Sequence, residues 1–264
     1  MKEYYKEALA NDTNIWVSPN GNDEVNNGYF EAPFATIEAA VAAVTTTKKT
    51  IVLMPGEYTM ATATNITVNG TKIIGLGGVY IDGSACTTYV FKTVFGAASG
   101  TKEFTLQNLS IDHGHLAGVV ITNTSGTAKV NVYLTDVDFG ASDVAHQSLD
   151  IDNLLTGQAI RVYSNRCTFE GPVNMVTKNN GDRLRFVNCV LRGGLVTDTG
   201  AYTLEILLDN CTVLHQGVTG GASQQTIYAF NCKSETDADP NVYAALDSND
   251  LAGSHTESVL FPTS

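Results

Sequence analysis

From residue 104 to residue 235 the chain repeats one hydrophobic pattern. Stacked on a shared polar position, its segments read FTLQNLSIDHG, VYLTDVDFGAS, VYSNRCTFEGP, RFVNCVLRGGL, ILLDNCTVLHQ and YAFNCKSETD. Each is a short apolar strand, a polar corner and a second short apolar strand. The corners fall at Asn108, Asp136, Arg166, Asn188, Asn210 and Asn231, separated by 28, 30, 22, 22 and 21 residues. The last three gaps are nearly uniform, and the first two carry insertions of 6 to 8 residues.

A strand of about five residues spans roughly 17 Å. A unit of 22 residues therefore holds three strands and three turns. That is the smallest closed coil of a parallel β-helix, in which each coil stacks on the last at about 4.8 Å. An antiparallel sandwich predicts hairpin turns every 8 to 12 residues or so. The Asn-Gly and Asp-Gly pairs at Asn20-Gly21, Asn69-Gly70, Asp82-Gly83 and Asn180-Gly181 do not alternate with strands regularly enough for a meander. A leucine-rich repeat has a similar period, but its L-x-x-L-x-L pattern is missing.

The β-helix also explains a periodic cysteine. Cys167, Cys189, Cys211 and Cys232 follow the corners at 22, 22 and 21 residues. Equivalent positions of successive coils lie above one another, so these four are expected to form an inward ladder of small hydrophobes. Asn188, Asn210 and Asn231 are expected to form a corner ladder beside them, each side-chain amide pairing with the coils above and below. Disulfides are not expected in a protein made in a cytoplasm, and five cysteines is an odd number. A zinc site needs CxxC or CxxH clustering, and no cysteine has a second ligand within a few residues.

The first sixty residues read differently. A strand (Ile15 to Ser18) leads through a turn-rich loop to Gly28, then a helix at roughly Phe34 to Val44 and a strand from Thr50 to Met54. The helix carries its apolar face on Ile37, Ala40, Val41 and Val44. Three segments stand in register with a known opening: Val17-Ser18-Pro19 with Gly21 and Asp23; Pro33-Phe34 with Thr36-Ile37 and Ala40; and Ile51, Leu53, Pro55-Gly56 and Tyr58. This stretch resembles the N-terminal entry of the pectin-lyase-like right-handed parallel β-helix superfamily. The resemblance implies an amphipathic helix capping the open end of the stack, where strand edges and apolar surface would otherwise be exposed.

The expected fold is thus all-β: a single right-handed parallel β-helix of about 22-residue coils with a short N-terminal capping helix. Its expected parts are an arm or short helix over 1–14, the entry strand and capping helix over 15–60, coils over 61–233, and a C-terminal strap or arm over 234–264. Tyr4, Tyr5, Ala8 and Leu9 share one side of the first segment, and Val242, Tyr243, Leu246, Val259, Leu260 and Phe261 are anchors in the last.

Charge narrows the partners. Fifteen basic and 27 acidic residues give a net charge of −12, which argues against nucleic acid and against an anionic membrane. No apolar run approaches the roughly 18 residues of a membrane span. The N-terminal MKEYYKEALANDT has neither an apolar h-region nor a small-residue cleavage site, so synthesis in a cytoplasm without a signal peptide is expected.

Candidate chemistry centres on Asp112 and His113, in a Ser110-Ile111-Asp112-His113-Gly114-His115 segment that is similar to the W-I-D-H segment of pectate lyases. Those enzymes also need Ca²⁺-binding carboxylates and a basic residue, and their R-x-P-x-x-R segment is missing. Inverting glycosidases on this fold need two or three carboxylates close together. Asp112, Asp136 and Asp138 follow corners in adjacent coils, and Asp150 and Asp152 share one strand face, but the glycosidase segments are not present as a set. Asp136-Val137-Asp138-Phe139-Gly140 has a faint likeness to a pectin methylesterase segment. No G-x-S-x-G elbow, P-loop or dinucleotide fingerprint occurs.

The leading expectation is therefore a non-enzymatic structural β-helix with no catalytic residues, cofactor or metal. The expected setting is a phage virion surface, as a capsid decoration (cement) protein or a spike or fibre module. Its expected partners are itself, as a homotrimer, and a larger assembly such as a capsid, with surface polysaccharide as a further candidate. The alternative is a polysaccharide lyase or glycoside hydrolase of the same superfamily, using Asp112, His113, Asp136 and Asp138.

Overall fold

A computed structural model describes residues 13–235 apart from 97–98, 114–115, 124–127, 142–145, 154–158, 178–180, 198–203, 215–217 and 221–224. The expected N-terminal arm up to residue 12, Gly114, His115 and the tail beyond Glu235 lie outside the described residues.

The long sheet is a column of parallel rungs, each bonded to the next: Asn14–Val17, Thr50–Leu53, Thr71–Gly75, Gly100–His113, Ala128–Ala141, Ile160–Asn165, Asp182–Val187, Leu204–Asp209 and Gln225–Phe230. Past a corner it continues as Gly56–Thr59, Val79–Asp82, the far halves of the two long strands, Thr168–Phe169, Val190–Leu191, Thr212–Leu214 and Lys233–Glu235. A second sheet closes each coil with Thr64–Ile66, Tyr89–Thr93, Ala117–Thr122, Gln147–Asp152, Val173–Thr177, Leu195–Thr197 and Val218–Gly220. All of these pairings are parallel, for example Val162 on Leu184, Leu184 on Ile206 and Ile206 on Ile227. The chain winds as a right-handed parallel β-helix, the hand that parallel crossovers take.

The six corners share one backbone conformation. Asn108, Asp136, Arg166, Asn188, Asn210 and Asn231 have φ between 51° and 55°, the left-handed region. Asn and Asp tolerate it because their short polar side chains bond locally, whereas other L-residues meet a steric penalty. The coil before Asn108 makes the bend with glycines, Gly77 and Gly78 at φ 99° and 61°. The stack begins two coils before the first asparagine corner, with the rungs Thr50–Leu53 and Thr71–Gly75.

One residue past the corner, the side chain turns inward. That position is filled in order by Val79, Leu109, Val137, Cys167, Cys189 and Cys211, none more than 4% exposed, and ends at half-buried Cys232. The cysteines thus continue an aliphatic ladder. Two residues further on, Ile81, Ile111, Phe139, Phe169, Leu191 and Val213 form the next ladder, with the rings of Phe139 and Phe169 stacked at 5.2 Å. In the corner ladder Asn210 Nδ2 donates to Asn188 Oδ1 at 2.7 Å, and Asn108 Nδ2 donates to the Gly75 carbonyl. Asn188 reaches to Asn165, one residue before the next corner, because that corner is Arg166.

The longer repeats put their extra residues into strands. The coil after Asn108 uses a far half reaching His113 and the strand Ala117–Thr122, against Val190–Leu191 and Leu195–Thr197 in a short coil.

The capping helix, α1, is Ile37–Ala42, shorter than the Phe34 to Val44 expected. Phe34 instead bridges in parallel to Val17, with its N–H bonded to the Trp16 carbonyl and its carbonyl accepting from Ser18. Asp23 then accepts from the N–H groups of Ala35 and Thr36 and from the Thr36 hydroxyl, so the helix starts only after Thr36, its N-cap. Ile37 and Ala40 are buried against the first rungs, and Val41 and Val44 pack at the margin. Trp16 is buried in the entry strand.

Candidate functional site

Two grooves flank the corner ladder on the outside of the long sheet and meet at Arg166. The first, of about 320 Å³, lies past the corner and holds Ser110, Asp136, Asp138, Arg166 and Thr168. The second, of about 400 Å³, lies before it and holds Tyr133, Tyr163, Asn165, Arg166 and Arg185. Strand alternation places these side chains outward, since their neighbours Leu134, Val137, Val162 and Leu184 fill the core.

Asp136 and Asp138 share the first groove, and Asp112 stands apart from them. Asp136 is a corner residue, and Arg166 grips both its oxygens at 2.6 Å from the coil above. The Arg166 hydrogen bonds hold the Asp136 carboxyl below its ordinary range. Asp138, two residues on, lies in the same groove between Ser110 and Thr168 of the adjacent coils. Burial pushes its carboxyl up, opposed by the charge of Arg192. Asp112 sits one rung below and two residues further along, opposite Gly140, and its registered carboxylate neighbour is Asp82. The Tyr80 hydroxyl donates to Asp112 at 3.0 Å. Burial, then that hydrogen bond, pushes the Tyr80 hydroxyl up to about 12. His113 ends its strand opposite Ala141, and its side chain lies outside the described residues.

The second sheet carries Asp150, outward beside Asn174, whose amide reaches it at 3.4 Å. Burial and then the charge of Asp152 push the Asp150 carboxyl up. A bulge between Ile151 and Asp152 interrupts their shared strand face against Val173–Thr177.

Each stacked thiol lies against the carbonyl two residues before it, and Cys189, Cys211 and Cys232 also lie against the thiol of the preceding coil. Bonding to Cys189 pushes the Cys167 thiol down. Bonding to the preceding cysteine, with burial behind it, pushes Cys189 and Cys211 up to about 12 and about 11. Among the described residues no three His, Cys, Asp or Glu side chains converge as a metal cluster.

The entry segment, the cap and the in-register parallel rungs together settle the architecture. The fold is a parallel β-helix. The chain is similar to pectin methylesterase PemA from Erwinia chrysanthemi, with 12% identity and a TM-score of 0.47 over 93% of this chain and 98% of that one. It is similar to the pectin methylesterase from Aspergillus niger in deglycosylated form, with 14% identity and a TM-score of 0.46 over 87% and 82%. It is also similar to pectate lyase Pel9A, with 16% identity and a TM-score of 0.33 over 95% and 89%. No protein-family model and no curated protein matches the chain.

Residue-by-residue reading overlooked the surface ladders. Tyr133 and Tyr163 stack at 5.2 Å with planes 12° apart, and Arg185 follows on the next rung. All three stand three residues before their corners, so the alignment on corners already places them together. All five arginines lie between 161 and 192, within two coils. Arg166 with Asp136, Arg192 with Glu170 and Arg183 with Glu205 form ion pairs at 2.6, 3.1 and 3.1 Å.

Proposed function

We propose that this chain is a non-enzymatic structural β-helix, a rigid module of a larger assembly. The assembly we infer is a phage virion, with the chain as a surface decoration (cement) protein or a spike or fibre module. The observation that carries the reading is the rung-to-rung pairing of the outer face. Asp136 with Arg166, Glu170 with Arg192, Arg183 with Glu205 and Asn188 with Asn210 all tie one coil to the next. These groups hold coils together rather than turning toward a common point where a substrate would react. A homotrimer about an axis parallel to the coils suits such a stack. The test combines light-scattering mass with a panel of polysaccharides. A trimer without cleavage supports the reading, and a monomer that cleaves any member of the panel overturns it.

One observation favours a second reading, a polysaccharide-degrading enzyme. Asp136 is held ionised and Asp138 is pushed toward its protonated form within one groove. Two carboxyls separated in this way are what general acid and base catalysis requires. The ion pair to Arg166 weighs against it, because it occupies both oxygens of the base. If wild type cleaves a polysaccharide and the Asp136→Asn/Asp138→Asn variant does not, this reading replaces the first.

A further inference from the structure

We propose that the stacked thiols of Cys167, Cys189, Cys211 and Cys232 bind soft monovalent cations, Cu(I) or Ag(I), each held in a line between the sulfurs of two successive coils. The register sets these four residues on consecutive rungs. Thr168 lies on Val190, Val190 on Thr212 and Thr212 on Lys233, which puts each preceding cysteine on the next. The Val190 N–H bonds the Cys167 carbonyl and the Thr212 N–H bonds the Cys189 carbonyl, both at 2.9 Å, fixing the stack. The first three side chains are at most 2% exposed, and Cys232, on the last described rung of the ladder, is half-buried.

Spacing decides which chemistry this column suits. In-register parallel rungs stand about 4.8 Å apart, and so do the β-carbons of equivalent residues. A disulfide needs β-carbons at about 3.5 to 4.5 Å, so joining two rungs directly would pinch the backbone. A tetrahedral zinc site needs four donors around one point, which a column does not supply. On the scale of a zinc–thiolate bond of about 2.3 Å, two metal–sulfur bonds laid end to end span about 4.6 Å, close to the rung spacing. Thiolates select soft ions such as Cu(I), and Ag(I) shares that preference. Each ion displaces two thiol protons to solvent and leaves a sulfur–metal–sulfur unit with one net negative charge.

The pairing gives countable outcomes. Cys167 with Cys189 and Cys211 with Cys232 form two separate pairs, so wild type holds two ions. Cys211→Val leaves the first pair and Cys189→Val leaves the second, so each variant holds one. The Cys189→Val/Cys211→Val double variant has no adjacent thiols and holds none. Valine keeps the core filled, since Val79 and Val137 occupy the same ladder.

The experiment is an anaerobic titration with silver nitrate, and separately with the acetonitrile complex of Cu(I), read by native mass spectrometry. X-ray absorption on the wild-type complex measures the coordination independently of any variant. Two, one, one and zero retained ions, with two sulfurs bound to each, support the site. Wild type that retains no ion, a double variant that retains two, or three or more sulfurs per ion overturns it.

Discussion

Replacing Asn210 separates two contributions that every corner of this stack combines. Its φ of 51° lies in the left-handed region, and its amide donates to Asn188 Oδ1 at 2.7 Å. Asn210→Ala removes the hydrogen bond, which at this exposed corner contributes about 0.5 to 1 kcal/mol. It also places a β-carbon in a conformation costing roughly 1 to 2 kcal/mol. The expected loss is about 2 kcal/mol, or a fall of roughly 4 to 8 °C in melting temperature for a chain of this size. Asn210→Gly loses the same hydrogen bond and escapes the steric penalty, but gives the unfolded chain more freedom, worth about 0.5 to 1 kcal/mol. Its expected loss is about 1 to 2 kcal/mol, below that of alanine, whose two terms sum to about 1.5 to 3. Urea and thermal unfolding of the two variants, read by circular dichroism, supply the comparison. If glycine costs as much as alanine or more, backbone conformation is not what selects asparagine here, and the corner argument fails.

Other perturbations probe the layers beneath. Phe169→Ala removes a fully buried ring stacked on Phe139 and edge-on to Phe186 at 5.6 Å, and should cost about 3 to 5 kcal/mol by urea unfolding. Cys189→Ala should cost roughly 1 kcal/mol or somewhat more, the value for a small buried hydrophobe, in the same assay. Gly193→Ala would bring a β-carbon to 2.2 Å from the Gly171 carbonyl carbon and the Pro172 nitrogen, so soluble yield should collapse, with a loss of about 3 kcal/mol or more in whatever folds. The two groove carboxyls should respond to pH in opposite senses. Asp136, with its folded value lowered, stabilises above the ordinary value of 3.8 and loses that contribution as pH falls through the lowered value. Asp138, with its folded value raised, contributes below 3.8 and loses that contribution as pH rises through the raised value. Melting temperatures of Asp136→Asn and Asp138→Asn from about pH 3 to pH 6 should therefore diverge from wild type with opposite sign at the upper end.

The sequence exposed the fold because a stacked coil repeats its constraints. The six corners read from hydrophobic spacing are the six non-glycine residues with positive φ among the described residues. The cysteine ladder was legible for the same reason: one inward position must stay small and apolar in coil after coil. Gly77-Gly78 escaped because glycine makes the bend with no side-chain signature, and the helix start escaped because Asp23 acts from twelve residues away. The site was less legible. Asp112, Asp136 and Asp138 follow neighbouring corners, but grouping them needs residue-level register. Asp112 stands two residues past Asp138's position, beside Asp82, and Asp136 is tied to an arginine thirty residues later.

Those ion pairs follow a rule that also bears on function. Asp136 and Arg166 are both corners; Glu170 and Arg192 both lie four residues after a corner; Arg183 and Glu205 both lie five before one. Equal offset means equal position in successive coils, about 4.8 Å apart along the stack. Like charges at about 5 Å repel by about 3 kcal/mol at an effective dielectric of 20, and by under about 1 kcal/mol in water. Opposite charges at the same offset gain modestly, since each pair is half-exposed. Slipping one coil by a residue would put each charge opposite a different position and move every inward side chain to the surface. The alternation therefore contributes more to the order of the coils than to raw stability. An active site on this face would need carboxylates that ignore that alternation and gather on one side of a cleft. Of the three candidate carboxylates, Asp136 is held by Arg166 within that alternation, Asp112 accepts from Tyr80, and Asp138 feels the charge of Arg192 from the coils above.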